Sequence, residues 1–243
     1  MIVHCLVIGS WSLVITILFM ISSPFALLQP FQENLAVQLF TKEDGLITDQ
    51  SVAEALGSHD YAALRQVHGN RTIMTRQMIK RTEQADGLIT DQPGLVLTMR
   101  IADCQPLMIY SPEAKMIGLI HAGWKGLVSG VIPEFFKTTL STFNFPLSTC
   151  LIGIGPCLCT RCADFSDPLS ELQGIPPDLV HGKNADLRGW ADRQLMDAGI
   201  KPQNIERMED CTRCNPEHYW TYRGGDREEV KQGKTNVLAC VLK

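Results

Sequence analysis

Between Ala102 and Gly126 the chain reads ADCQPLMIYSPEAKMIGLIHAGWKG, and this stretch constrains the fold more than any other. Leu107–Tyr110 and Met116–Ile120 are short apolar runs rich in Leu, Ile and Met. The SPEAK segment between them has turn composition, so the pair predicts a β-hairpin. A hairpin folds its open ends together, which would bring Cys104 and His121 to the same edge of a sheet. A soft thiolate and an imidazole converging there are metal-binding chemistry, although two ligands are too few. Gly118, Gly123 and Gly126 keep the backbone around His121 lean, which suits close approach by a ligand.

The third candidate is His68, in Gln66-Val67-His68-Gly69, between the short runs Tyr61–Leu64 and Arg71–Met74. His68, Cys104 and His121 would form a His₂Cys shell, and three protein ligands with a fourth position open is the arrangement of catalytic zinc. Spacing alone favours Cys104 as a small buried apolar residue and the histidines as satisfied core residues.

Four motifs in order, QVHG, ADGLITD, ADC and HAGWKG, carry a resemblance. They look like the family long described as multicopper polyphenol oxidases or laccases and now associated with purine nucleoside phosphorylase and adenosine deaminase activity. Its members are the bacterial YfiH-like proteins and the FAMIN or laccase-domain protein of animals. The resemblance runs from about Leu39 to the C-terminus, and Ile154-Gly155-Pro156-Cys157, Asp210-Cys211-Thr212 and Tyr222-Arg223 agree with it. It implies zinc ligands at His68, Cys104 and His121, and an α-β-β-α-like sandwich. The strand-rich order with intervening helices independently predicts a layered α/β domain with a mixed sheet, spanning residues 38–243.

The resemblance further implies a cytoplasmic, zinc-dependent purine nucleoside phosphorylase with adenosine deaminase and methylthioadenosine phosphorylase activity. Its partners would be purine nucleosides and phosphate, with a monomer or a homodimer both open. Asp103, beside Cys104, would orient a histidine ligand or move protons; it reads equally as a turn-capping aspartate. Zinc deaminases usually supply a glutamate as proton shuttle, and no HxE pairing occurs here, which leaves Asp103 as the nearest carboxylate by position. Lys42 would be a phosphate-facing cation or a solvated lysine, and Trp124 would wall a purine pocket or belong to the core. Lys125 stands where most relatives have arginine, so it can contact phosphate but lacks the bidentate fork. Arg223 matches the late motif, while Gly224 replaces the second arginine of the usual pair. Relatives also carry a longer segment before QVHG.

Two CTRC motifs, Cys159–Cys162 and Cys211–Cys214, form a second cysteine pattern. Paired CxxC knuckles chelate one ion through both thiolates, so Cys159, Cys162, Cys211 and Cys214 would form a second, structural Cys₄ zinc site. Reduced thiols and disulfides are the alternatives. Nine cysteines in 243 residues do not require a disulfide scaffold.

Composition limits the partners. A net charge of −4 gives no electrostatic case for nucleic acid. Residues 1–32 hold no charged side chain, and Val3–Ile21 is nearly all apolar, long enough to span a bilayer. That segment reads as an anchor, a signal peptide or an extension with no role in the domain. Asp44–Gln50 and Asp86–Gln92 are both DGLITDQ and read as similar turn-into-strand elements. Leu127–Phe143 reads as one amphipathic helix, with Pro133 near its start or at a kink.

Two rival functions remain. One is a copper-dependent polyphenol oxidase, for which six histidines are few. The other is a non-catalytic zinc-binding interaction domain.

Overall fold

Side chains alternate across a strand, and here that alternation sorts the apolar residues into three packed interfaces. The computed structural model describes residues 21–45 and 47–243. Its first seven strands are β1 (Ile21–Ser22), β2 (Leu35–Phe40), β3 (Tyr61–Arg65), β4 (Thr72–Met74), β5 (Ile79–Gln84), β6 (Gly87–Thr90) and β7 (Val96–Ile101). They are followed by β8 (Gln105–Ser111), β9 (Met116–Ala122), β10 (Leu151–Ile154), β11 (Val180–His181), β12 (Asn184–Ala185), β13 (Ile205–Arg207) and β14 (Asn236–Leu242). The helices are α1 (Asp49–Ala55), α2 (Trp124–Val128), α3 (Val131–Thr142), α4 (Pro168–Glu171), α5 (Leu187–Asp197) and α6 (Arg227–Lys231).

Two six-stranded sheets form, in the orders β1-β2-β14-β7-β3-β5 and β13-β10-β8-β9-β6-β4. Each mixes parallel and antiparallel pairs: β3 runs parallel to β5 and β7, and β4 runs parallel to β6. Leu97, Met99, Leu238 and Cys240 of the first sheet pack against Met108, Tyr110, Ile117 and Leu119 of the second. The outer face of the first sheet carries Val237, Ala239 and Val241 against Val52 and Ala53 of α1. The outer face of the second carries Leu107, Ile109 and Ile120 against Phe135 and Phe136 of α3 and Trp190 and Leu195 of α5. The architecture is therefore an α-β-β-α sandwich, the mixed α/β class expected. Because both faces are covered, β8, β9 and β14 are buried at every position, and their middles are apolar without alternation, with polar residues only toward the ends.

The hairpin forms as β8–β9, with Gln105 opposite Ala122 and Ser111 opposite Met116. These strands are central in their sheet, so Cys104 and His121 lie at strand ends rather than beside an edge strand. Gly118 has a different role from the one its position suggested. A Cβ there would come within 2.4 Å of the Phe135 ring, so its bareness admits α3 and not a ligand.

The helix expected over Leu127–Phe143 is broken. Gly130, with φ 76°, separates α2 from α3, and Pro133 falls in the first turn of α3, where backbone N–H groups need no helical partner. The two DGLITDQ copies also diverge. Asp86–Gln92 runs into β6, whereas Asp44–Gln50 runs into α1, with the Thr48 hydroxyl accepting the Ser51 N–H at 3.0 Å. Leu88 and Ile89 are wholly buried between neighbours in the sheet; in the other copy Arg81 grips Asp49 from two nitrogens at 2.7 Å. Tertiary partners, not local propensity, decide the outcome.

The N-terminal segment divides. Residues 3–20 of the apolar run lie outside the described residues. From Ile21 onward the chain packs on the domain: β1 pairs with β2, and Phe25 is wholly buried over Gly153, where a Cβ would meet its ring at 2.4 Å. Among the described residues no helix is long and apolar enough to cross a membrane.

Candidate functional site

Asp86, directly before β6, has no solvent exposure, and its carboxylate organises the site. Oδ1 accepts from His121 Nδ1 at 2.8 Å and from the His68 backbone N–H at 2.9 Å. Oδ2 accepts the backbone N–H groups of Gly69 at 2.8 Å and Val67 at 3.2 Å. These bonds wrap the QVHG loop around one carboxylate and hold His68 in the left-handed region, φ 60°. Histidine is among the non-glycine residues that tolerate it, at a cost of roughly 1–2 kcal/mol. With Nδ1–H donated to Asp86, His121 turns its other ring nitrogen toward Cys104.

His68, Cys104 and His121 each bring a ligand atom within 4.8 Å of the other two. The two imidazoles meet edge to face, with centroids 4.8 Å apart. Gly123 makes this possible, since a Cβ would lie 2.8 Å from Cys104 Sγ and 3.0 Å from the His68 ring. Burial alone would push the Cys104 thiol up, but His121 and His68 outweigh it and bring the thiol down to about 6. Burial would likewise lower His121, and Cys104 with Asp86 reverses that, raising it to about 9. Asp86 is held below the usual carboxylate range: burial opposes this, and the His121 hydrogen bond and charge with the backbone N–H groups prevail. One thiolate and two imidazoles, one of them oriented by a carboxylate, suit a zinc ion.

Asp103 does something other than orient a histidine. Its carboxylate accepts the hydroxyls of Thr212 at 2.7 Å and Thr221 at 2.6 Å, and the Arg223 backbone N–H at 2.7 Å. Its carbonyl accepts the Leu158 N–H at 3.1 Å. With φ 87° and 8% exposure it is a buried clamp, and the residue that orients His121 is Asp86. Asp86 lies within ADGLITD, a motif that by itself assigns it no role. The signal available was an aspartate directly before a β-run in a motif of the matched set.

Trp124 opens α2 directly after Gly123 and packs edge to face on Phe165, centroids 5.9 Å apart. The Arg223 guanidinium lies 5.1 Å from the Phe165 ring centre and donates to the Asp164 carbonyl at 2.7 Å. Trp124, Phe165, Arg223 and Lys183 line a cleft of about 310 Å³ with Asp164 and Ser166. Phe165 and Lys183 were not singled out in the sequence, because nothing local marks them. Exposed Lys125 lies over the Trp124 ring at 5.3 Å. Lys42 is not a free phosphate-facing cation: its ammonium bonds both Asp226 oxygens at 2.9 Å and lies 4.7 Å from the centre of the Trp220 ring. A larger cleft of about 640 Å³, between Arg188, Asp192 and Arg207, contains none of the three His₂Cys residues.

The family described as multi-copper polyphenol oxidoreductase laccase matches residues 41–241. The chain belongs to that family. A purine nucleoside phosphorylase of Rickettsia prowazekii is similar, 26% identical over 223 residues that cover 87% of this chain and 89% of its own. YlmD of Bacillus subtilis, also named a purine nucleoside phosphorylase, is 27% identical over 194 residues, covering 76% of this chain and 69% of its own. The crystal structure of YlmD from Geobacillus stearothermophilus aligns with a TM-score of 0.74 at 23% identity, covering 88% of this chain and 93% of that one. That likeness shows the fold. In this laccase-family chain the motifs QVHG, ADC and HAGW supply the three side chains that converge, and ADGLITD supplies the carboxylate beneath them.

Proposed function

We propose that this chain is a zinc-dependent purine nucleoside phosphorylase, acting in the cytoplasm on purine nucleosides and phosphate. One observation carries the reading. The oriented His₂Cys group adjoins, through Gly123 and Trp124, a cleft with two aromatic walls and a guanidinium. The naming of relatives that match most of the chain supports it. The eight described cysteines are all free, which suits a reducing compartment.

In phosphorolysis an oxygen of phosphate bonds C1′ of the ribose while the C1′–N9 bond breaks, giving ribose 1-phosphate and free purine. Trp124 and Phe165 would hold the base against an aromatic wall. Arg223, with Lys183 beside it and Lys125 at the rim, would bring phosphate to C1′ and offset its charge. Asp103 fixes the backbone of Arg223 and so positions that cation. A zinc ion held by His68, Cys104 and His121 would supply a Lewis-acidic centre with an open position.

The proposal extends to phosphorolysis of methylthioadenosine and to deamination of adenosine. Deamination needs a proton carrier, and Asp103 is engaged by three donors, so conversion of adenosine to inosine is the separable part. The copper reading needs further histidines. Among the described residues the groups of three or more clustered His, Cys, Asp and Glu able to hold an ion number two, and one of them has no histidine.

The test is incubation of the purified protein with inosine and phosphate. Hypoxanthine and ribose 1-phosphate should appear, and Cys104→Ala should abolish them with the fold retained. Copper-dependent phenol oxidation without phosphorolysis would overturn the reading.

A further inference from the structure

Cys159, Cys162, Cys211 and Cys214 come from two loops fifty-two residues apart in sequence, yet their sulfurs all lie within 4.8 Å of one another. Cys162 and Cys214 sulfurs are 3.5 Å apart, and those of Cys159 and Cys214 are 3.9 Å apart. Zinc–sulfur bonds of about 2.3 Å in a tetrahedron would separate neighbouring sulfurs by roughly 3.8 Å. A disulfide needs about 2.0 Å. The spacing is that of a tetrathiolate cage and not of cystine bonds.

The backbone around the cage is built to match. Cys157 and Cys211 form a parallel bridge between the loops, and the Cys159 N–H donates to Cys211 Sγ at 3.2 Å. Arg213 and Arg223 both direct a guanidinium at the Cys162 carbonyl, at 3.4 Å and 3.5 Å. Four thiolates around a divalent ion carry a net charge of about −2, and the two guanidiniums, which share the single Asp164 carboxylate, leave a positive charge beside the cage that reduces the cost of holding it. The same two loops end at the functional cleft. One supplies Leu158 to Asp103 and then Asp164 and Phe165; the other supplies Thr212, Thr221 and Arg223, the side-chain and backbone donors that hold the Asp103 carboxylate.

We propose that these four cysteines bind a second zinc ion, closed to substrate, which clamps the two loops and thereby fixes Asp103 and the Arg223 wall of the cleft. Binding exchanges the thiol protons for the ion and changes no oxidation state. This inference does not depend on what His68, Cys104 and His121 bind.

The decisive sample is the full chain carrying His68→Ala and Cys104→Ala, which keeps all four cysteines of the cage. It should retain one zinc per chain, and cobalt in its place should show the charge-transfer absorption of an all-thiolate tetrahedral site. In the wild-type chain the denatured, metal-stripped protein should titrate as nine thiols. Cys159→Ser with Cys214→Ser should lose one zinc, and hydrogen exchange should rise at least about tenfold in residues 157–165 and 208–226 while β8 and β9 keep their protection. A His68→Ala/Cys104→Ala chain without zinc, or a denatured wild-type chain with four fewer thiols, would overturn the site. Unchanged exchange in both loops after zinc loss would overturn the clamp.

Discussion

Replacing Asp86 by Asn keeps the shape of the side chain and removes one acceptor from a buried group that serves four donors. An amide has one oxygen and one NH₂. If the NH₂ faces His121, Nδ1 must become an acceptor, and the ring hydrogen moves to the nitrogen offered to the ion. If instead the NH₂ faces Gly69 and Val67, two backbone N–H groups lose their acceptor, at about 1–3 kcal/mol each, and the His68 loop opens. Either orientation spoils one ligand. Hydrogen-bond partners of metal-bound histidines typically control metal affinity by about 10–100-fold. That range corresponds to about 1.4–2.8 kcal/mol. Competition against a chromophoric chelator should therefore show zinc bound about 10–100-fold more weakly by Asp86→Asn, with phosphorolysis falling in step. A folded Asp86→Asn chain that binds zinc as tightly as the wild type would show that Asp86 does not orient the ligands.

Gly123→Ala should weaken zinc binding by at least about tenfold with unchanged circular dichroism, because the new methyl would press on Cys104 and His68 together. Gly118→Ala should do the reverse, costing about 1–3 kcal/mol in urea unfolding through its clash with Phe135 while zinc affinity holds. Asp49 tests the pH dependence of stability. Burial opposes its ionisation, but hydrogen bonding and charge from Arg81 and Arg100 hold it below the usual carboxylate range. Its folded value lies below its unfolded one, so its contribution is present above about pH 4 and fades as pH falls through the depressed value. Asp49→Asn should cost about 1–3 kcal/mol at pH 7 by removing the anion that two half-buried guanidiniums share, and the gap to wild type should narrow as pH falls below about 4.

The parts of the fold that were legible are those whose burial leaves a local mark. The β8–β9 hairpin announced itself by two apolar runs around SPEAK. The two-sheet sandwich came from the family resemblance, since strands covered on both faces do not say which layer they join. Where tertiary partners decide, the sequence was silent or misleading. The same seven residues make a helix start beside Arg81 and a strand between β4 and β9, and Gly118 serves Phe135 from a helix that begins thirteen residues later. At the site, Cys104 and His121 could be paired through the hairpin, while His68 needed the motif match because its loop reaches them only through Asp86. The Asp103 network was illegible because its donors, Thr212, Thr221 and Arg223, lie more than one hundred residues downstream.

Whether His68, Cys104 and His121 share one zinc ion is answered by an anomalous-difference map from crystals of the zinc-loaded protein, recorded on both sides of the zinc edge. A zinc peak should lie about 2.3 Å from Cys104 Sγ and about 2.0–2.1 Å from one nitrogen of each imidazole. The absence of any peak among these three side chains, or a peak that responds to the copper edge instead, would contradict a shared zinc ion.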